Sequence, residues 1–180
     1  IYQGLDEKKH IDDYVGDRFL EVVAGLDVGY RDENCFVVIG FDGDKYYIID
    51  EYVSRESTTS ELADIVKEKL DFWNIDTIYI DSAAQQTKAD FAYDYDIYCE
   101  NAIKSVNDGI SSLQALIEQD RMLFDTEGGM HCFSAMSSYK WNPNTETPKP
   151  VHDWCSHPCD AIRYAIYSHQ KMSAISVYAN

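Results

Sequence analysis

The chain is short of positive charge: 15 Lys and Arg stand against 32 Asp and Glu, a formal net charge of −17 over 180 residues. A protein this acidic repels a DNA duplex at long range. A site that collects carboxylates around divalent cations is hostile to phosphate only until the metals arrive, so the acidity lowers the case for DNA without excluding it. No run of about 18 apolar residues occurs, which rules out a membrane-spanning helix. Neither an initiator Met nor a basic-then-apolar leader precedes Ile1, and the chain is read as an excised piece of a longer protein. There is no Walker-type glycine loop, internal repeat or low-complexity tract, so ATP hydrolysis is not encoded. Five cysteines, an odd count without a secretory signal, argue against a disulfide framework and for a reducing cytoplasm. Proline is scarce, and three of the four sit together between Asn142 and Pro150, marking a loop.

What is present suits one globular domain, with 45% hydrophobic and 26% charged residues. Residues 1–18 are polar and aperiodic and read as a linker or the tail of a preceding domain; the ordered domain spans 19–170, with 171–180 as a C-terminal tail. Leu20 to Gly29, Cys35 to Phe41 and Lys45 to Tyr52 read as three antiparallel strands, the last two joined by the turn residues Asp42-Gly43-Asp44. Thr58 and Glu61 form a capping-box pattern ahead of Leu62, Ile65, Val66, Leu70 and Trp73 at helical spacing. Thr77 to Asp81 is a short strand that this crossover helix makes parallel to an earlier one. Helices follow at Gln85 to Tyr93, Asn107 to Gln119, Met130 to Tyr139 and from Pro158 onward, with strands at Ile97 to Cys99 and Arg121 to Phe124.

Asp27 is a carboxylate inside the most apolar strand, costly to bury unless paired or metal-bound. Asp81 ends the strand after the crossover, where ligand sites of open α/β sheets gather. If the two strands pair, the carboxylates become neighbours, and a divalent cation or a shared proton must relieve them. Asp160 lies one helical turn beyond His157 on the last helix. Asp27, Asp81 and Asp160 are thus the candidate ligands for Mg²⁺ or Mn²⁺, with His157 supporting a ligand or moving a proton. Three such residues can hold two metals for phosphodiester hydrolysis. The blander readings stay open: a strand-end hydrogen-bond acceptor, a helix cap and a first-turn acid. His131-Cys132, Cys155, His157 and Cys159 match no common zinc spacing. Lys104, Lys140 and Arg163, with Lys149, Tyr139 and Trp141, form a candidate strip for the DNA backbone.

Taken in order, Gly25-Leu26-Asp27-Val28-Gly29-Tyr30-Arg31-Asp32, Tyr79-Ile80-Asp81-Ser82, Lys104 with Gly109-Ile110, Tyr139-Lys140-Trp141 and His157-Pro158-Cys159-Asp160-Ala161-Ile162-Arg163-Tyr164-Ala165 resemble the C-terminal nuclease domain of the large terminase subunit of tailed bacteriophages. The resemblance implies an α/β, RNase H-like fold, a mixed five-stranded sheet flanked by helices. It also implies a metal-dependent endonuclease that cuts concatemeric viral double-stranded DNA with two Mg²⁺ or Mn²⁺ ions during genome packaging in the host cytoplasm. Asp27, Asp81 and Asp160 take the metal-ligand positions, with His157 beside them. Implied partners are double-stranded DNA, an N-terminal ATPase domain of the same protein, the portal and the small terminase subunit, with no membrane. The rivals are a Holliday-junction-resolvase or transposase-like nuclease, half of a sugar-kinase or actin-like protein, and a non-catalytic portal-docking module.

Overall fold

A computed structural model describes residues 1–14, 18–29 and 33–178, with side chains through Ala174. Its centre is a hairpin pair of long strands, β2 (Glu21–Asp27) and β3 (Glu33–Phe41), followed by β4 (Tyr46–Arg55); successive strands pair antiparallel. Every residue of β3 from Asn34 to Gly40 is buried, because the two sides of its pleat face two different cores. Cys35, Val37 and Ile39 enter one core, Phe36 and Val38 the other.

The capping box forms as the sequence predicts: Glu61 N–H donates to Thr58 Oγ1 at 3.2 Å, and Thr58 N–H donates to Glu61 Oε2 at 2.8 Å. It starts helix α2 (Thr59–Trp73), which crosses over to β5 (Thr77–Ile80), parallel to β2. Next come α3 (Gln85–Tyr95), β6 (Cys99–Asn101), α4 (Val106–Glu118), β7 (Met122–Asp125), α5 (Met130–Ser138) and α6 (Ser156–Tyr178). α2 and α3 cover one face of the sheet, and α4, α5 and α6 the other.

Among the described residues the sheet has seven strands rather than five, in the order β1-β7-β4-β3-β2-β5-β6. Six of them coincide with runs visible in the sequence. The seventh, β1 (Ile11–Asp12), follows a short helical turn, α1 (Glu7–His10), and pairs parallel with β7 inside the segment expected to be a linker. Tyr2 is buried against Tyr139, and Gln3 N–H donates to Gln114 Oε1. Residues 1–12 thus dock on the domain through scattered contacts that have no period to read. At the other end, α6 continues to Tyr178, past the expected end of order near 170, with residues 171–174 exposed. The sixth strand starts two residues later than expected, because Asp96 takes a left-handed conformation (φ 57°) and the Ile97 N–H closes the end of α3 on Phe91 O.

Candidate active site

The pleat of β2 alternates, so Val23, Gly25 and Asp27 face the α6 side while Ala24 and Leu26 face α2. β5 runs in register beside it, Leu26 opposite Ile80, which sets Asp27 and Asp81 next to one another at two parallel strand ends. α6 crosses over this point. A Cβ on Gly25 would collide with the backbone carbonyl of Ala161, so only glycine lets the helix lie this close. Asp160, the neighbour of Ala161, and His157, one turn earlier, are thereby carried to the carboxyl end of β2.

Among the described residues, each of the three carboxylates meets a basic side chain. His157 Nδ1 lies 2.8 Å from Asp27 Oδ2, and both groups are buried. Lys104 Nζ lies 2.6 Å from Asp81 Oδ1, which also accepts the Ala83 N–H at 2.8 Å. Arg163 Nη2 donates to Asp160 Oδ1 at 2.7 Å. Burial raises the pKa of Asp27; the His157 hydrogen bond opposes this, and the charges of Asp160 and Asp81 add to the rise. Burial also acts upward on Asp81, but the Ala83 N–H and the Lys104 ammonium outweigh it and hold that carboxyl below its usual range. Tyr164, which donates to Asp81 Oδ2 at 3.4 Å, has its hydroxyl pushed far up by burial and then by Asp27, Asp160 and Asp81. The three acids therefore share one electrostatic neighbourhood.

The donor chemistry, hard carboxylate oxygens with one imidazole, fits Mg²⁺ or Mn²⁺. Among the described residues, no group of three or more His, Cys, Asp or Glu side chains is already arranged to hold a metal ion. The cysteines Cys35, Cys132, Cys155 and Cys159 lie in the core under α5 and α6, and burial pushes their thiols up, so they remain protonated apolar filling.

Two candidate cations sit where a duplex could touch them: Lys104 and Lys140 are exposed. Arg163 differs from expectation. It is only 3% exposed, and its guanidinium is committed to Asp160 beneath the surface, so it is not available to a DNA backbone. Two neighbours escaped the sequence reading. Tyr164 lies four residues beyond Asp160, on the same helical face, a spacing that could have flagged it. His152 packs edge-on against His157, with ring centroids 5.3 Å apart, and Ser156 Oγ lies 3.0 Å from its Nδ1. Beside them opens a cleft of about 420 Å³ lined by His157, His152, Asp153, Trp154, Arg55 and Glu33, which adjoins the carboxylates through His157. Tyr30, Arg31 and Asp32 of the first motif lie outside the described residues.

The sequence profile of the Terminase RNaseH-like domain family matches residues 24–168. The chain belongs to that family. The large subunit of terminase from Escherichia phage T5 is 37% identical over 185 residues, covering 93% of this chain and 41% of that protein. The chain thus spans about two-fifths of the length of its curated relative. Among solved structures, the large terminase of the thermophilic bacteriophage D6E aligns with a TM-score of 0.82 at 20% identity, over 94% of this chain and 43% of that one. The nuclease domain of the P22 large terminase gives 0.74 at 18% identity, over 93% and 90%. The large terminase nuclease domain from bacteriophage SPP1, with bound Mn, gives 0.71 at 21% identity, over 92% and 97%. These likenesses establish the RNase H-like terminase fold, and the resemblance read from the ordered motifs holds.

Proposed function

We propose that this terminase domain is a divalent-metal-dependent endonuclease that cuts double-stranded DNA during viral genome packaging. The observation that carries the reading is the meeting of Asp27 and Asp81 at adjacent parallel strand ends, with Asp160 and His157 brought over them by α6. Asp27, Asp81 and Asp160 would hold Mg²⁺ or Mn²⁺, two ions in the full site, and the SPP1 domain bound to Mn supports that choice. Such ions supply Lewis-acid activation of water and stabilisation of the leaving oxygen.

The protein's own residues do the rest. His157 orients Asp27 through Nδ1 and is the imidazole placed to move a proton at the site. With Asp81 engaged by a cation, Lys104 would be free to meet a phosphate oxygen and keep positive charge beside the scissile bond. Lys140 contacts the backbone at longer range. An ATPase domain of the same protein, the portal and the small subunit would hold DNA near this acidic surface and raise its effective concentration. No described helix is long and apolar enough to cross a membrane, and the host cytoplasm is where such DNA would be met.

The test is incubation with supercoiled plasmid and Mn²⁺ or Mg²⁺, with Asp81→Asn as control. Nicked and linear products in the parent alone support the reading; a folded sample that cuts with neither metal overturns it in favour of a non-catalytic docking module.

A further inference from the structure

Arg163 is a buried cation with more to hold than one carboxylate. Its Nη2 donates to Asp160 one turn earlier at 2.7 Å, while Nη1 points at the backbone carbonyls of Lys104 (3.3 Å) and Ser105 (3.5 Å) in the turn before α4. The guanidinium carbon stands 5.0 Å from the centre of the Tyr164 ring. Its aliphatic stem lies on Gly109, where a Cβ would come within 2.6 Å of Arg163 Cδ and 2.7 Å of Cγ. Glycine is a poor helix residue, and its presence inside α4 is accounted for by the space the stem needs.

We propose that Arg163 is a positioning residue that locks Asp160 and the Lys104 turn into one arrangement around the metal site. The proposal rests on the nuclease reading given above. Asp160 on a solvated helix would sample several rotamers; the fork of Arg163 selects one. The same fork grips the backbone of Lys104, whose ammonium lies 2.6 Å from Asp81 Oδ1. One buried side chain thus couples the surroundings of two carboxylates that lie 79 positions apart in the chain (160 − 81). Lysine at this position offers a point charge that can satisfy Asp160 or the carbonyls, but not both in fixed geometry.

The experiment compares the parent chain with Arg163→Gln, Arg163→Lys and Gly109→Ala. The readouts are Mn²⁺ affinity by calorimetry, amide exchange over Ala102–Gly109 without metal, and DNA affinity without metal. The expected result is Mn²⁺ binding weakened by about tenfold or more, as for other residues that orient a metal ligand, with faster exchange confined to that turn and unchanged DNA affinity. Arg163→Lys should fail to restore either property. Should Arg163→Gln not fold, Gly109→Ala carries the same expectation, since it displaces the stem and keeps the charge.

Parent-like Mn²⁺ affinity and exchange in the folded variants would overturn the proposal. So would a loss of DNA affinity alone, which would return Arg163 to a DNA contact. A parent chain that neither binds Mn²⁺ nor cuts DNA defeats the nuclease reading instead, and the exchange measurement then still decides whether Arg163 holds the turn.

Discussion

Gly25 of β2 and Ala161 of α6 touch backbone to backbone, with no room between them for a single methyl group. Two residues along the strand stands Asp27, and one residue back along the helix stands Asp160. The closeness of strand and helix therefore sets how near the carboxylates come.

Gly25→Ala should pry α6 from the sheet. Overpacking of this kind costs about 1–3 kcal/mol, and here backbone rather than a flexible side chain has to yield. The variant should melt lower than the parent and lose most cleavage even where it remains folded at assay temperature. Thermal unfolding by circular dichroism together with plasmid cutting checks it.

Asp27→Asn and Asp81→Asn should both abolish cleavage yet move metal-free stability in opposite directions. The folded pKa of Asp27 lies above the usual carboxylate value of about 3.9, so its ionisation weakens the fold as pH rises through that window. The folded pKa of Asp81 lies below it, so its contribution is present above the usual value and disappears as pH falls through the lowered one. At neutral pH the first variant should melt at or above the parent and the second below it. Equal shifts of one sign would contradict the assignment.

His157→Ala should slow cutting by about 10–100-fold, less than loss of a carboxylate. The hydrogen bond from this imidazole holds the Asp27 carboxyl down against burial. Without it the acid limb of the pH–rate profile should move to higher pH. A profile that falls in height and keeps its acid limb would leave His157 without that role.

DNA affinity of this chain alone should be weak and steeply dependent on salt, given the net charge of −17. Lys140→Ala should reduce the slope of log affinity against log salt by at most about 0.9, the share of one phosphate contact, and Lys104→Ala should do so only when a divalent cation has freed it from Asp81. Fluorescence anisotropy over a salt series measures this; tight binding at physiological salt would count against the picture.

Much of the candidate site's geometry was legible because its signals are local. A carboxylate among apolar residues marks Asp27, a strand end after a crossover marks Asp81, and a spacing of three on a helix joins His157 to Asp160. The capping box at Thr58 and Glu61 was equally plain. What escaped depends on partners far away in sequence. β1 is two residues long and exists because β7 offers its edge. Arg163 looks like any surface cation until Gly109, from another helix, makes space for its stem and Asp160 takes its charge. His152 sits in an irregular segment with no period, and only the packing of α6 brings its ring to His157.

The pairing of Asp27 with His157 closes a loop of 130 residues. Contacts of such separation form late in folding, after the entropy of the intervening chain has been overcome. Strands β2 to β5 can assemble while the last helix is still being synthesised, but the imidazole and the third carboxylate arrive only with α6. A nascent or truncated chain that ends before Ser156 therefore carries two acids and no complete centre. On the reading proposed above, cutting of DNA would wait until the last helix has docked, a delay written into the order in which the chain leaves the ribosome.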